Sequence, residues 1–141
     1  MKTPRFPLRI FYDGDCIVCA TEVEYYVCKD HHDRLIPVDI SSPKFDAGAY
    51  GISQEEFMFE LHALDSEGTV YRGVDAFRAI WQAFPAGSVH ALLGKIISLP
   101  VINAAARIAY RGFARIRRYL PKRQGACADG RCRYHSGDRK K

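Results

Sequence analysis

The strongest constraint on the fold is a pair of cysteines set where a strand gives way to a helix. Leu8-Arg9-Ile10-Phe11-Tyr12 reads as a short buried strand and Asp13-Gly14-Asp15 as a turn. Ile17 to Lys29 reads as a helix, with apolar Val18, Val23, Tyr26 and Val27 among charged residues. Cys16 and Cys19 therefore straddle the start of that helix. Free backbone N–H groups and the helix dipole favour a thiolate there, and the thiolate is the reactive form. In the same place a C-x-x-C pair is expected to close a disulfide, with Cys16 as the exposed member and Cys19 as the resolving thiol one turn in. Asp13 and Asp15 pull two ways: as anions they oppose a thiolate, and as bases they accept its proton.

The rest of the chain supplies the other layers of an α/β domain. Leu35 to Ile40 is a second strand, and Pro37 argues against a central position for it. Residues 41–52 read as a loop. Ser53 caps a short helix, with Glu56 at the capping-box position. Alternating apolar residues then predict a strand over Met58–Leu64. Asp65-Ser66-Glu67-Gly68 is a hairpin turn, and Thr69–Arg72 returns as a strand. Asp75 is expected to cap a helix that carries Ala76, Phe77, Ile80, Trp81 and Phe84 on one face and ends at Pro85-Ala86-Gly87. The order β-α-β-β-β-α is that of a thioredoxin-like core, expected over residues 1–86. Residues 87–120 form a helical, basic extension, with helices over Val89–Ile97 and Val101–Leu120 broken at Pro100. Residues 121–141 form a basic, cysteine-containing tail that is expected to be mobile.

At 141 residues the chain is of single-domain size and needs neither disulfide nor metal to fold. Five unevenly spaced cysteines and the absence of a signal-peptide pattern predict a cytoplasmic protein. Ile96 to Ala106, the most apolar stretch, is too short for a bilayer, which needs about 20 residues. The net charge of +5 conceals a split. Residues 1–106 carry 9 Lys/Arg against 14 Asp/Glu, and residues 107–141 carry 12 against 2. An anionic partner for the basic end is expected. In the second extension helix Ile102, Ala105, Ala109, Phe113, Ile116 and Leu120 form one stripe, expected to pack on the domain. Arg107, Arg111, Arg115 and Arg118 fall opposite, facing water or meeting a membrane or other anionic surface. The stripe is rich in Ala and lacks Trp, which argues against insertion, and no nucleic-acid motif is apparent.

Phe11-Tyr12-Asp13-Gly14-Asp15-Cys16-Ile17-Val18-Cys19 resembles the aromatic-Asp-Gly-x-Cys-x-x-Cys signature of the DCC family of thiol-disulfide oxidoreductases. Gly73-Val74-Asp75-Ala76 resembles a second stretch of that family, and Ile108 to Phe113 is a looser echo of its basic-aromatic helix. The resemblance spans roughly residues 8–120. It implies a thioredoxin-like fold with Cys16 and Cys19 as the redox pair, acting on a protein or small-molecule disulfide or dithiol without a cofactor. Pairs of this kind span about −270 to −120 mV, so direction stays open. Thioredoxins themselves place a cis-proline before the third strand. Here Phe57-Met58 is expected in that region, and no proline lies between Pro43 and Pro85.

Other readings compete. As an alternative, the thioredoxin-like core is a non-catalytic scaffold whose basic helix docks a partner. Asp13-Gly14-Asp15 after a strand also fits the Asp-x-Asp of phosphotransferases, with Asp13 as nucleophile, Asp15 as acid/base and Mg²⁺ bound. No later acidic pair for the metal is evident. Zinc on Cys16/Cys19 needs ligands from elsewhere. Cys127 and Cys132, with His135 behind them, form a second pair that would relay electrons to the first, bind zinc, or simply pair with each other. Cys28 is expected to be buried. His31, His32, His62 and His90 form no credible ligand spacing.

Overall fold

The computed structural model describes residues 2–120. Strand β1 (Leu8–Tyr12) leads through the Asp13-Gly14-Asp15 turn into α1 (Ile17–Lys29) and on to β2 (Leu35–Asp39). A 3-10 turn at Ala47–Tyr50 and helix α2 (Gln54–Phe59) precede β3 (His62–Leu64) and β4 (Val70–Arg72). Helices α3 (Val74–Trp81), α4 (Val89–Ile97) and α5 (Pro100–Ile116) complete the described residues, with a last 3-10 turn at Arg117–Tyr119. The sheet order is β2-β1-β3-β4. β1 and β2 are parallel, while β3 and β4 run antiparallel to their neighbours. This is a thioredoxin-like arrangement, and Pro37 lies on the edge strand, where a missing N–H is tolerated.

Alternation along β1 divides the interior in two. Leu8, Ile10 and Tyr12 face α1 and α3, packing with Val23, Tyr26, Ile80 and Trp81. Trp81 Nε1–H donates to the Tyr26 hydroxyl at 3.0 Å and ties the two helices together. Phe11 points the other way, into a cluster with Ile40, Ile52 and Phe57, against which Phe45 and Tyr50 also pack. Burying each such side chain contributes about 1.5–3 kcal/mol. The segment 41–52 thus lids the second face and is not a plain loop.

Three elements depart from their expected form. Residues Met58 and Phe59 belong to α2, and β3 starts only at His62. Period-two alternation ran through Phe57 by coincidence; the Ser53–Glu56 capping box starts a helix that carries Phe57 into the core. Asp75 does not cap α3. Gly73 occupies the cap position with φ of 53°, and Asp75 is used instead by Arg78 and Arg107, at 3.0 and 2.8 Å. In α5 the predicted apolar stripe faces outward. The helix packs through Ala114, buried, and through half-buried Ala106 and Tyr110. Pro100 sits at the first turn of α5, where its missing N–H costs nothing.

Candidate redox site

The site is built at the C-terminal end of β1. Asp13 Oδ1 accepts the Asp15 N–H at 3.0 Å and Asp13 O accepts the Cys16 N–H at 3.1 Å, which turns the chain sharply into α1. Gly14 N–H donates to Asp39 Oδ1 at 2.9 Å, and the same oxygen accepts the Ser41 N–H and hydroxyl. A Cβ on Gly14 would lie 2.1 Å from Asp39 Oδ2, so only glycine admits this contact. Parallel pairing of Tyr12 with Asp39 is what brings the two segments together.

Cys16 is the N-cap residue of α1, and its Sγ accepts the Cys19 N–H at 3.5 Å. The sulfur takes the place of the usual cap oxygen, where helix N–H groups favour negative charge. Both cysteines are free thiols. Their exposure reverses the expectation: Cys16 is buried, 7% exposed, and Cys19 is the more accessible residue. Capping turns the Cys16 side chain back over the helix end, whereas Ile17 and Val18 stand outward. Burial, helped by the hydrogen bond with Cys16, pushes the Cys19 thiol up to about 12. Arg117 opposes this and the Asp13 carboxylate adds to it. Asp15 enters the turn through its backbone N–H. Among the described residues no group of three or more His, Cys, Asp or Glu could hold a metal, so neither the zinc nor the Mg²⁺ reading gains a ligand set.

Two residues from the extension reach this centre. Arg117 Nη1 donates to Cys19 Sγ at 3.5 Å across 98 residues of sequence. Its Nη2 is buried with no partner. Tyr110 accepts the Leu61 N–H on its hydroxyl at 2.6 Å, and burial pushes its phenol up to about 12. Glu60-Leu61, not Phe57-Met58, therefore lies just before the third strand, and the Leu61 backbone donor is occupied by a side chain from α5. Neither contact was foreseeable from local sequence, because both cross the whole domain. Asp39 was in reach once β1 and β2 were paired in parallel.

The remaining candidates are spread out. Cys28 is exposed on α1, contrary to expectation, because its neighbours Val23 and Tyr26 face the core. His90 stacks on Phe84 at 4.4 Å, and His62 is fully buried at the start of β3, against Phe57. Cys127 and Cys132 lie outside the described residues.

The sequence model of the DCC1-like thiol-disulfide oxidoreductases matches residues 10–123. The chain belongs to that family. An Arabidopsis thaliana relative, "Uncharacterized protein At5g50100, chloroplastic", is 30% identical over 118 residues, which are 82% of this chain and 53% of the relative. The chain thus spans about half the length of that curated relative. No solved structure matches it significantly.

Proposed function

We propose that Cys16 and Cys19 are the exchanging pair, with Cys16 as attacking sulfur and Cys19 as resolving thiol. The observation that carries this is the N-cap contact, in which Cys16 Sγ accepts the Cys19 backbone N–H one helical turn on. A raised pKa keeps Cys19 protonated at neutral pH, and Cys16, at the N-cap of α1, is the sulfur that attacks. The Cys16 thiolate attacks one sulfur of a protein or small-molecule disulfide. A mixed disulfide forms and the other substrate sulfur leaves as thiolate. Cys19 then gives up its proton, for which Asp13 is the nearby carboxylate, and attacks Cys16 Sγ. The second substrate thiolate leaves, and the pair closes as a disulfide, having delivered two electrons. A cellular dithiol reopens it; running in reverse, the same steps oxidise a substrate dithiol.

Alkylation-resolved mass spectrometry across a glutathione redox series tests the assignment. Cys16 and Cys19 should titrate together as one two-electron couple, while exposed Cys28 follows glutathione independently. If both stay reduced across the series, the assignment fails. A partner that still binds a Cys16→Ser/Cys19→Ser variant with its function intact would favour the scaffold reading instead.

A further inference from the structure

We propose that the outward ridge of α5, with the adjoining face of α4, docks the protein on an anionic lipid surface. The ridge is apolar and uncovered: Val101 is 82% exposed, Ile108 73% and Ile116 59%. They recur at spacings of seven and eight residues, with Ala105 between the first two, and so share one side of the helix. Around the corner, Leu99 is 53% exposed, and Val89, Leu92, Leu93 and Ile96 line one side of α4. The other side of α4 is committed to the core through His90 and Ile97. α5 is likewise fixed in orientation, by Tyr110 on Leu61 and by Arg107 on Asp75. The apolar ridge is therefore held outward by the fold. Exposed apolar residues gathered on one side of each helix, and not scattered singly, mark an interaction surface.

Charge identifies the occupant. Residues 87–120 contain no Asp or Glu and six Lys/Arg. Arg111 and Arg115 stand three and seven residues after Ile108, on the flank of the ridge, and Arg118 continues their row. None of these three forms an ion pair with a carboxylate among the described residues. The segment that follows, residues 121–141, carries seven Lys/Arg and two Asp. By sequence it adds further positive charge to the basic end of the chain. An apolar ridge bordered by cations matches a bilayer interface with acidic headgroups, where long arginines reach up to phosphate while the ridge sinks into the acyl boundary. A nucleic-acid backbone would leave the ridge unused. No single helix among the described residues is long and apolar enough to cross a membrane, and α4 and α5 meet at a bend of 98°.

The test uses the reduced full chain with vesicles of phosphatidylcholine alone and of phosphatidylcholine with phosphatidylglycerol, in about 0.15 M salt, where distant charges are screened. Co-sedimentation should favour the anionic vesicles by about tenfold or more. Val101→Asp/Ile108→Asp, at exposed positions outside the core, should fold normally by circular dichroism and lose about tenfold of that binding. Arg111→Gln/Arg115→Gln should lose the preference for anionic lipid. Three results overturn the proposal. One is equal binding by the Asp double variant, which assigns attraction to the basic end alone. Another is failure to bind anionic vesicles. The third is a dimer that the Asp double variant dissociates, which makes the ridge a contact with a second copy.

Discussion

Arg117 and Cys19 form the most consequential single contact in the molecule. A guanidinium 3.5 Å from a sulfur favours its thiolate, and burial favours its thiol; the balance leaves Cys19 at about 12. Thiolate therefore grows steadily as pH rises through neutrality. If solvent takes the proton, resolution of a Cys16 mixed disulfide should speed up by about tenfold per pH unit between 7 and 9. A shallower slope, restored to tenfold by Asp13→Asn, would mark Asp13 as the proton acceptor. Arg117→Leu should slow resolution by about threefold to tenfold, with Arg117→Lys restoring part of the rate, measured as lifetime of the glutathione mixed disulfide. An unchanged lifetime in Arg117→Leu would leave the arginine a purely structural role. At Gly14 the issue is space. Gly14→Ala puts a methyl on top of the Asp39 carboxylate and should cost about 1–3 kcal/mol in urea unfolding. Asp39→Ala should also destabilise, since three donors lose their acceptor. The double variant should be less unstable than the sum of the two, because the clash is gone.

Among the elements, β3 holds a titratable group that the catalytic proposal does not use. His62 is fully buried, with Nδ1 at 2.9 Å from the Glu60 carbonyl, Nε2 unpartnered, and Phe57 edge-on at 5.0 Å. Desolvation holds it below its ordinary 6.5 despite the carbonyl. Below that pH the unfolded chain binds a proton that the folded chain refuses, so stability is full above about 6.5 and falls as pH drops toward the folded value. Thermal melts of the wild type between pH 7.5 and 5 should show this loss, and His62→Phe should flatten the curve in that window; parallel curves would assign the acid sensitivity elsewhere. The carboxylates of Asp65 and Glu56 are both held low, so their contribution is lost only at still lower pH. Asp65 is held there although burial acts in the other direction, because the Thr69, Arg5 and Glu67 backbone N–H groups and the Tyr71 hydroxyl all donate to it.

Across the whole molecule, what was legible in the sequence follows the range of the interactions involved. α1 and α4 have the limits their local signals predict, and the sheet order follows from a β-α-β unit and a hairpin. The errors arise where a distant partner outweighs a local pattern. Asp75 looks like a cap until Arg107, 32 residues on, claims it. The stripe from Ile102 through Ala105, Ala109 and Phe113 to Ile116 looks like core until Tyr110 and Arg107 orient the helix through polar partners. Cys16 looks exposed until its sulfur turns back to cap its own helix.

The reach of Arg117 back to Cys19 bears on how this protein can be divided or recombined. A cut after residue 86 would keep every strand, both thiols and the Asp13 turn, and by sequence alone would pass for a complete redox module. It would discard the guanidinium on Cys19, the hydroxyl on Leu61 and Arg107, one of the two partners of Asp75. The helices after α3 therefore supply part of the surroundings of the proposed exchanging pair, and a shuffled or trimmed descendant would inherit the thiols without the arginine that faces Cys19.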